Sequence, residues 1–282
     1  MPLGAHMSTS GGIEQAIRRG RSIGCETIQL FVTNPNRWKA PPLQDEDLDR
    51  FRAAQTETGI EPIVAHDIYL INLGSPEKEL WERSINAFQD ELERCARLEL
   101  PCLVMHPGSH MGSGDEACLR RIADALDILR ERAPDVTVKI LLETTAGQGT
   151  NVGYRFEHLA EIMALVQDKS WLGVCLDTCH VFGAGYELHT PEGYEETWRQ
   201  FDEILGLGLL GCIHLNDSKG GLGCRLDRHE HIGKGQLGLE PFRLLLNDPR
   251  LHHLPMVLET PKGPDMKEDV QNLAVLRSLI AA

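Results

Sequence analysis

Short apolar runs recur along the whole chain: LGAH (3–6), TIQLFV (27–32), PIVAH (62–66), CLVMH (102–106), VKILLE (138–143), LGVCLD (172–177), LGCIHL (210–215) and PMVLE (255–259). Runs that stay apolar at successive positions suit parallel strands buried on both faces. Between them, apolar residues repeat with the helical period. The clearest cases are 77–98 (EKELWERSINAFQDELERCARL) and 115–133, which opens after SGD and stops before Pro134. Further helices are predicted over roughly 11–22, 45–58, 155–167, 192–205, 238–247 and 266–281. Eight strands alternating with eight helices predict a (β/α)8 TIM barrel, with the active site at the C-terminal face of its strands. The barrel is expected to take up residues 1–282 as one domain, since no linker or repeat divides the chain. A doubly wound open sheet is the alternative, but no GxGxxG follows the first strand.

The strand ends change the picture. Five runs end in His66, His106, Glu143, Asp177 and Glu259, and His214 lies near the end of a sixth. In a barrel these ends converge on one face. Charged side chains are rarely buried unless paired or metal-bound, so six such ends in eight point to a metal centre. Three more candidates follow in loops: His180 in LDTCH, and Asp227 and His229 in DRHEH. Five His with four carboxylates suit Zn²⁺ or a similar transition metal better than Mg²⁺. Nine candidates exceed the four or five that one ion takes, and imply two or three ions with a bridging carboxylate. Paired ions suit in-line phosphoryl displacement.

Composition adds bounds. Of the 282 residues, 41% are hydrophobic and 25% charged, which is ordinary for a globular protein. No apolar run approaches the length of a membrane span, and the N-terminus does not read as a signal peptide. The eight cysteines are scattered without a CxxC pair and are expected to be reduced thiols of a cytoplasmic protein. The net charge of −14 argues against a nucleic-acid partner unless positive charge is supplied locally.

The chain resembles the endonuclease IV family of zinc-dependent apurinic/apyrimidinic (AP) endonucleases over essentially its whole length. The resemblance is carried by GAHMSTSGG (4–12), HDIYLINLGSP (66–76), HPGSH (106–110) and LLETTAGQGTNVGYRFEHL (141–159). It continues in VCLDTCHVFGAGY (174–186), HLNDSK with DRHEHIGKG (214–235), and LET (258–260). It implies a (β/α)8 barrel with three zinc ions, Mn²⁺ being a competitor at the third. It places His66 and His106 on one ion, with Glu143 bridging to a second held also by Asp177, His214 and Glu259. His180, Asp227 and His229 take the third.

The implied reaction is hydrolysis of the phosphodiester 5′ to an abasic site in duplex DNA, by a hydroxide bridging two ions. It leaves a 3′-hydroxyl and a 5′-deoxyribose phosphate. Trimming of blocked 3′ ends is also implied. Glu143 and Glu259 are the implied catalytic carboxylates, Glu259 helping to orient or deprotonate the water. The family also bends DNA and extrudes the abasic nucleotide, which is easiest at an unpaired position. Tyr69 and Leu70 match its insertion loop.

At NPNRW this chain departs from the family's usual NPRQW: Asn36 stands at the arginine position and Arg37 one place later. Lys219 and Arg228 are expected phosphate contacts. His6 and His110 are expected to support ligands, and His231 to support a ligand or contact a phosphate. His158, His189, His252 and His253 are expected at the surface, as is the acidic face of 77–98. A monomer is expected. A metal-dependent sugar isomerase or epimerase on the same barrel is the rival reading, but it has no use for a third ion.

Three zinc ions would move the net charge from −14 to about −8 and concentrate positive potential at the barrel mouth. Intact duplex should therefore bind weakly and lesion-bearing duplex much more tightly. Titration of both at moderate salt tests this, and comparable affinities would count against it.

Overall fold

In the computed structural model, which describes residues 1–281, the eight runs form a closed parallel barrel. Its strands are β1 (Leu3–His6), β2 (Thr27–Phe31), β3 (Ile63–His66), β4 (Cys102–Met105), β5 (Lys139–Glu143), β6 (Leu172–Asp177), β7 (Leu210–His214) and β8 (Met256–Leu258). Each strand pairs with its neighbours in chain order, and β8 closes on β1. The helices are α1 (Glu14–Ser22), α2 (Asp45–Thr58), α3 (Lys78–Arg97), α4 (Asp115–Arg132), α5 (Phe156–Leu165), α6 (Thr178–Ala184), α7 (Pro191–Ile204), α8 (Glu240–Leu246) and α9 (Lys267–Ser278). The architecture is the one the periodicity predicts, with ends moved by one to three residues.

The unanticipated α-helix is α6. Asp177 ends β6 and also caps this helix, its side chain accepting a bond from the His180 backbone N–H at 2.9 Å. Gly185, in the left-handed region at φ 111°, stops the helix after two turns. An element this short leaves no periodic signature.

Alternate strand residues divide between two cores. Ala5, Ile28, Leu30, Ala65, Leu103, Ile140, Val174 and Ile213 face outward and are covered by helix residues such as Phe51, Phe88, Phe156, Phe201 and Phe242. Full burial of such side chains contributes about 1.5–3 kcal/mol each. Val64, Cys102, Val104, Leu141, Cys175, Cys212 and Val257 fill the lumen as a separate cluster. Leu141 occupies the space left by two glycines: a Cβ on Gly173 or Gly211 would lie 2.7 or 2.8 Å from Leu141 Cδ2. Between β6 and β7, Val174 pairs with Leu210 but Cys175 with Cys212, so Gly211 is an extra residue in the ladder. This bulge keeps both Cys212 and His214 facing the lumen. All eight cysteines are free.

β1 passes closest to β2 at Gly4, where a Cβ would sit 1.7 Å from the Thr27 carbonyl oxygen. Backbone cannot yield as a side-chain tip can, so Gly4→Ala should lower stability by about 3 kcal/mol or more. Urea unfolding measures this; an unchanged midpoint would contradict the register of β1 on β2.

Candidate metal centre

Six of the nine candidate ligands stand on the barrel itself. His66, Glu143, Asp177 and His214 are the last residues of β3, β5, β6 and β7. His106 and Glu259 each follow their strand by one residue. All share the inward parity of the lumen residues Val64, Val104, Leu141, Cys175, Cys212 and Val257, so they form the layer above that cluster. His180 lies in the first turn of α6, held by the Asp177 cap. Asp227 and His229 come from a long excursion after β7. It returns because Asp217–Ser218 pairs antiparallel with His229–Glu230. The Asp217 carboxylate pins the remainder, accepting bonds from the backbone N–H groups of Ser218, Gly233, Gly235 and Leu237.

Glu143 is the hub. Its Oε2 lies 3.0 Å from His66 Nε2 and 3.3 Å from His106 Nε2, and its Oε1 lies 3.1 Å from His214 Nδ1. Glu259 Oε2 is 3.2 Å from the same Nδ1. On the other side, Asp227 Oδ1 is 3.2 Å from His180 Nε2 and 3.5 Å from His229 Nε2, and Asp177 Oδ2 is also 3.5 Å from His229 Nε2. Three donor sets result, each with its ligand atoms within 4.8 Å of one another: His66, His106 and Glu143; Glu143, Asp177, His214 and Glu259; His180, Asp227 and His229. Cys175 and Cys212 also come within this range of His214, one layer down in the lumen.

Three of the imidazoles are oriented as metal ligation would require. His66, His180 and His229 each donate Nδ1–H to a backbone carbonyl, of Asp67 (2.8 Å), Thr144 (2.9 Å) and Glu259 (3.1 Å). That leaves each Nε2 facing the carboxylates, the tautomer a metal-binding histidine needs. His180 Nε2 and His229 Nε2 are buried without a hydrogen-bond partner. An orphaned buried nitrogen is costly, and a cation beside Asp227 would satisfy both.

Electrostatics agree. Burial opposes charge on His66, His106, His180 and His214, yet the surrounding carboxylates, preceded at His214 by the Cys175 sulfur, outweigh it and raise all four above the ordinary imidazole range. Burial likewise opposes ionisation of Glu143, Glu259 and Asp227, but the imidazoles prevail. Both glutamates are held well below the usual range, and Asp227 at about 2. Without ions, protons on histidine balance the buried carboxylates.

The rim holds the remaining candidates. Tyr69 is 70% exposed, and its ring meets Phe31 edge-on at 5.6 Å. A cavity of about 410 Å³ beside it is also lined by Asn72, His106, Met111, Asn151 and Asp227. Leu70 is half-buried and packs on the core. Asn36, Arg37, Lys219 and Arg228 are exposed; Arg228 turns its guanidinium onto the Asp227 carbonyl at 2.6 Å.

Three expectations need correction. His158 is buried, not on the surface, its Nδ1 accepting a bond from the Gly153 backbone N–H. His110 touches none of the nine candidates; its Nδ1 accepts from the Gly112 and Gly114 N–H groups ahead of α4. The acidic face of α3 is not wholly solvated: Glu91 is buried, and burial pushes its carboxyl up to about 7. Its two oxygens accept from Thr33 Oγ1 (2.6 Å) and the Ile68 N–H (3.3 Å). That ties the loop carrying Asn36 and Arg37 to the one carrying Tyr69 and Leu70. His6 stands beside Glu259 (3.7 Å), whereas His231 meets Asn272 of α9.

A family model described as a xylose isomerase-like TIM barrel matches residues 17–279. A protein named "Probable endonuclease 4" from Chloroflexus aurantiacus is 54% identical over 277 residues, covering 98% of this chain and 97% of that one. The chain belongs to the endonuclease IV family. It is accordingly a nuclease of DNA repair from a metal-dependent family. Another endonuclease 4 relative, from Geobacter sulfurreducens, is 50% identical over 278 residues, with 99% of this chain and 94% of that one covered. The crystal structure of endonuclease IV from Thermus thermophilus superposes with a TM-score of 0.88 at 37% identity, covering 99% of this chain and 98% of that one. A D-tagatose 3-epimerase-like protein superposes at 0.75 with 18% identity, which shows the shared barrel alone.

The charge balance of the endonuclease IV centre gives a pH signature. Raised histidines stabilise the metal-free fold below about pH 6.5, and that contribution is lost as pH rises through their folded values. The depressed glutamates and Asp227 contribute above their unfolded values and lose that contribution as pH falls. Metal-free protein should therefore lose at least about 2–4 °C of melting temperature between roughly pH 6.5 and 9, while zinc-loaded protein does not. Parallel melts with and without chelator test this, and a flat metal-free profile would refute the balance.

Proposed function

We propose that this chain incises duplex DNA 5′ to abasic nucleotides as a three-zinc phosphodiesterase, leaving a 3′-hydroxyl and a 5′-deoxyribose phosphate. The observation that carries the reading is the set of nine side chains forming three adjoining donor sets, two of them sharing Glu143. His66, His106 and Glu143 would hold one ion; Glu143, Asp177, His214 and Glu259 a second; His180, Asp227 and His229 a third, where Mn²⁺ can replace Zn²⁺. Bound ions supply polarisation of the attacking water and stabilisation of the charge that develops at phosphorus and the departing oxygen.

The chain's own groups do the rest. Glu143 is fully buried, so both its oxygens are committed to the interior, as a bridging carboxylate requires. Glu259 keeps 14% of its side chain exposed and is held ionised by His214 and His6. It is the carboxylate of that second set able to meet a water at the mouth and orient or deprotonate it. Tyr69 stands clear of the rim beside His66, where it can fill the gap left by an extruded nucleotide. The cavity beneath it reaches His106 and Asp227, and is of a size for a base-free sugar. Leu70 anchors the loop, and Arg37, Asn36, Lys219 and Arg228 face the backbone. The same centre would trim blocked 3′ ends. The enzyme works as a monomer in the cytoplasm, at the nucleoid during repair.

A duplex carrying one tetrahydrofuran abasic analogue, which cannot undergo β-elimination, should be cut on its 5′ side by protein holding about three metals per chain. Glu259→Gln should retain the fold and lose at least about 10²-fold in kcat. Absence of cleavage at full metal load would sink the reading. Tyr69→Ala should raise the Kd for the lesion duplex while leaving metal content unchanged.

A further inference from the structure

His214 differs from the other imidazoles. Three of those present Nε2 to the centre and rest Nδ1–H on a backbone carbonyl, whereas His214 presents Nδ1 and rests Nε2–H on a side chain. The side chain is Gln29, fully buried at the middle of β2. Its Oε1 accepts from His214 Nε2 at 2.8 Å. Its Nε2 donates to Glu259 Oε1 at 2.6 Å and faces His6 Nδ1 at 3.0 Å. One planar amide thus meets an imidazole N–H and a carboxylate together. The orientation is forced, because a flipped amide would set its oxygen against the Glu259 carboxylate.

We infer that Gln29 is a positioning residue for the second ion: it fixes the tautomer of His214 and the rotamer of Glu259, so that Nδ1 and Oε2 face the same point. The outcome is the 3.2 Å approach of these two atoms, with Glu143 Oε1 3.1 Å from the same Nδ1. Both groups are anchored by this one replaceable side chain. Glutamate at this position would place a carboxylate oxygen against Glu259, methionine would offer neither donor nor acceptor, and asparagine would be a methylene too short. The inference rests on the proposed ligand roles of His214 and Glu259.

The test is zinc retention during titration with a competing chelator, for the wild type, Gln29→Met, Gln29→Glu and His214→Ala, each checked for barrel structure by circular dichroism. Both Gln29 variants should release one of the three ions at about 10–100-fold lower chelator concentration, with the other two held as in the wild type. Incision should fall in kcat with KM for DNA little changed, and excess zinc should restore Gln29→Met, a rescue that a merely structural defect would not show. Either variant alone decides, so misfolding of one leaves the other. Native retention of all three ions in a folded Gln29 variant overturns the inference. Native retention in His214→Ala overturns instead the ligand assignment on which it rests.

Discussion

Glu143 is ionised with no exposed surface, and a charge so placed must be matched within hydrogen-bonding distance or be neutralised. Four imidazoles meet its two oxygens, each arriving on a different strand or helix. Much else in the molecule serves that requirement. The bulge at Gly211 keeps His214 inward, the Asp177 cap holds His180, and the Asp217 clasp brings His229 back across the mouth. The lumen below is filled mainly by aliphatic side chains, with Cys175 and Cys212 meeting His214 from beneath.

Histidine orientation is set at a second remove. Backbone carbonyls are the steadiest anchors a fold can offer, because no side-chain substitution removes them. Three imidazoles use them. The exception at His214 concentrates the orientation of two side chains, His214 and Glu259, in one amide. Glu91 plays a comparable part on the outer side, where one buried carboxylate couples two rim loops that are far apart in sequence.

The barrel and the nine clustered residues were legible because two regularities coincide. Doubly buried strands leave continuous apolar runs, and a polar residue ending such a run must lie at the strand's C-terminal end, where the fold gathers it with the others. What escaped notice lacks that signature. Gln29 sits inside a strand, where a lone polar residue reads as noise. Asp217 reads as one more loop carboxylate, although it accepts four backbone donors. Glu91 has helical neighbours of its own kind, and only the packing of two remote loops shows that it is enclosed. His158 reads as a surface residue because its partners, the Gly153 N–H and Asp115, come together only when the preceding turn folds back. In each case the decisive partner is distant in sequence or supplied by backbone, and a residue pattern records neither.

The plugged lumen makes the barrel a vessel with one opening. Leu141, seated against Gly173 and Gly211, packs the lumen directly beneath the polar layer, so the clustered side chains face the mouth. On the function proposed above, a duplex lying across that mouth would stopper it. Ions would then have to enter before substrate, and their exchange would be confined to the intervals between encounters with DNA. An enzyme built this way would take its metal supply in its idle time, and its working time would be shielded from chelators.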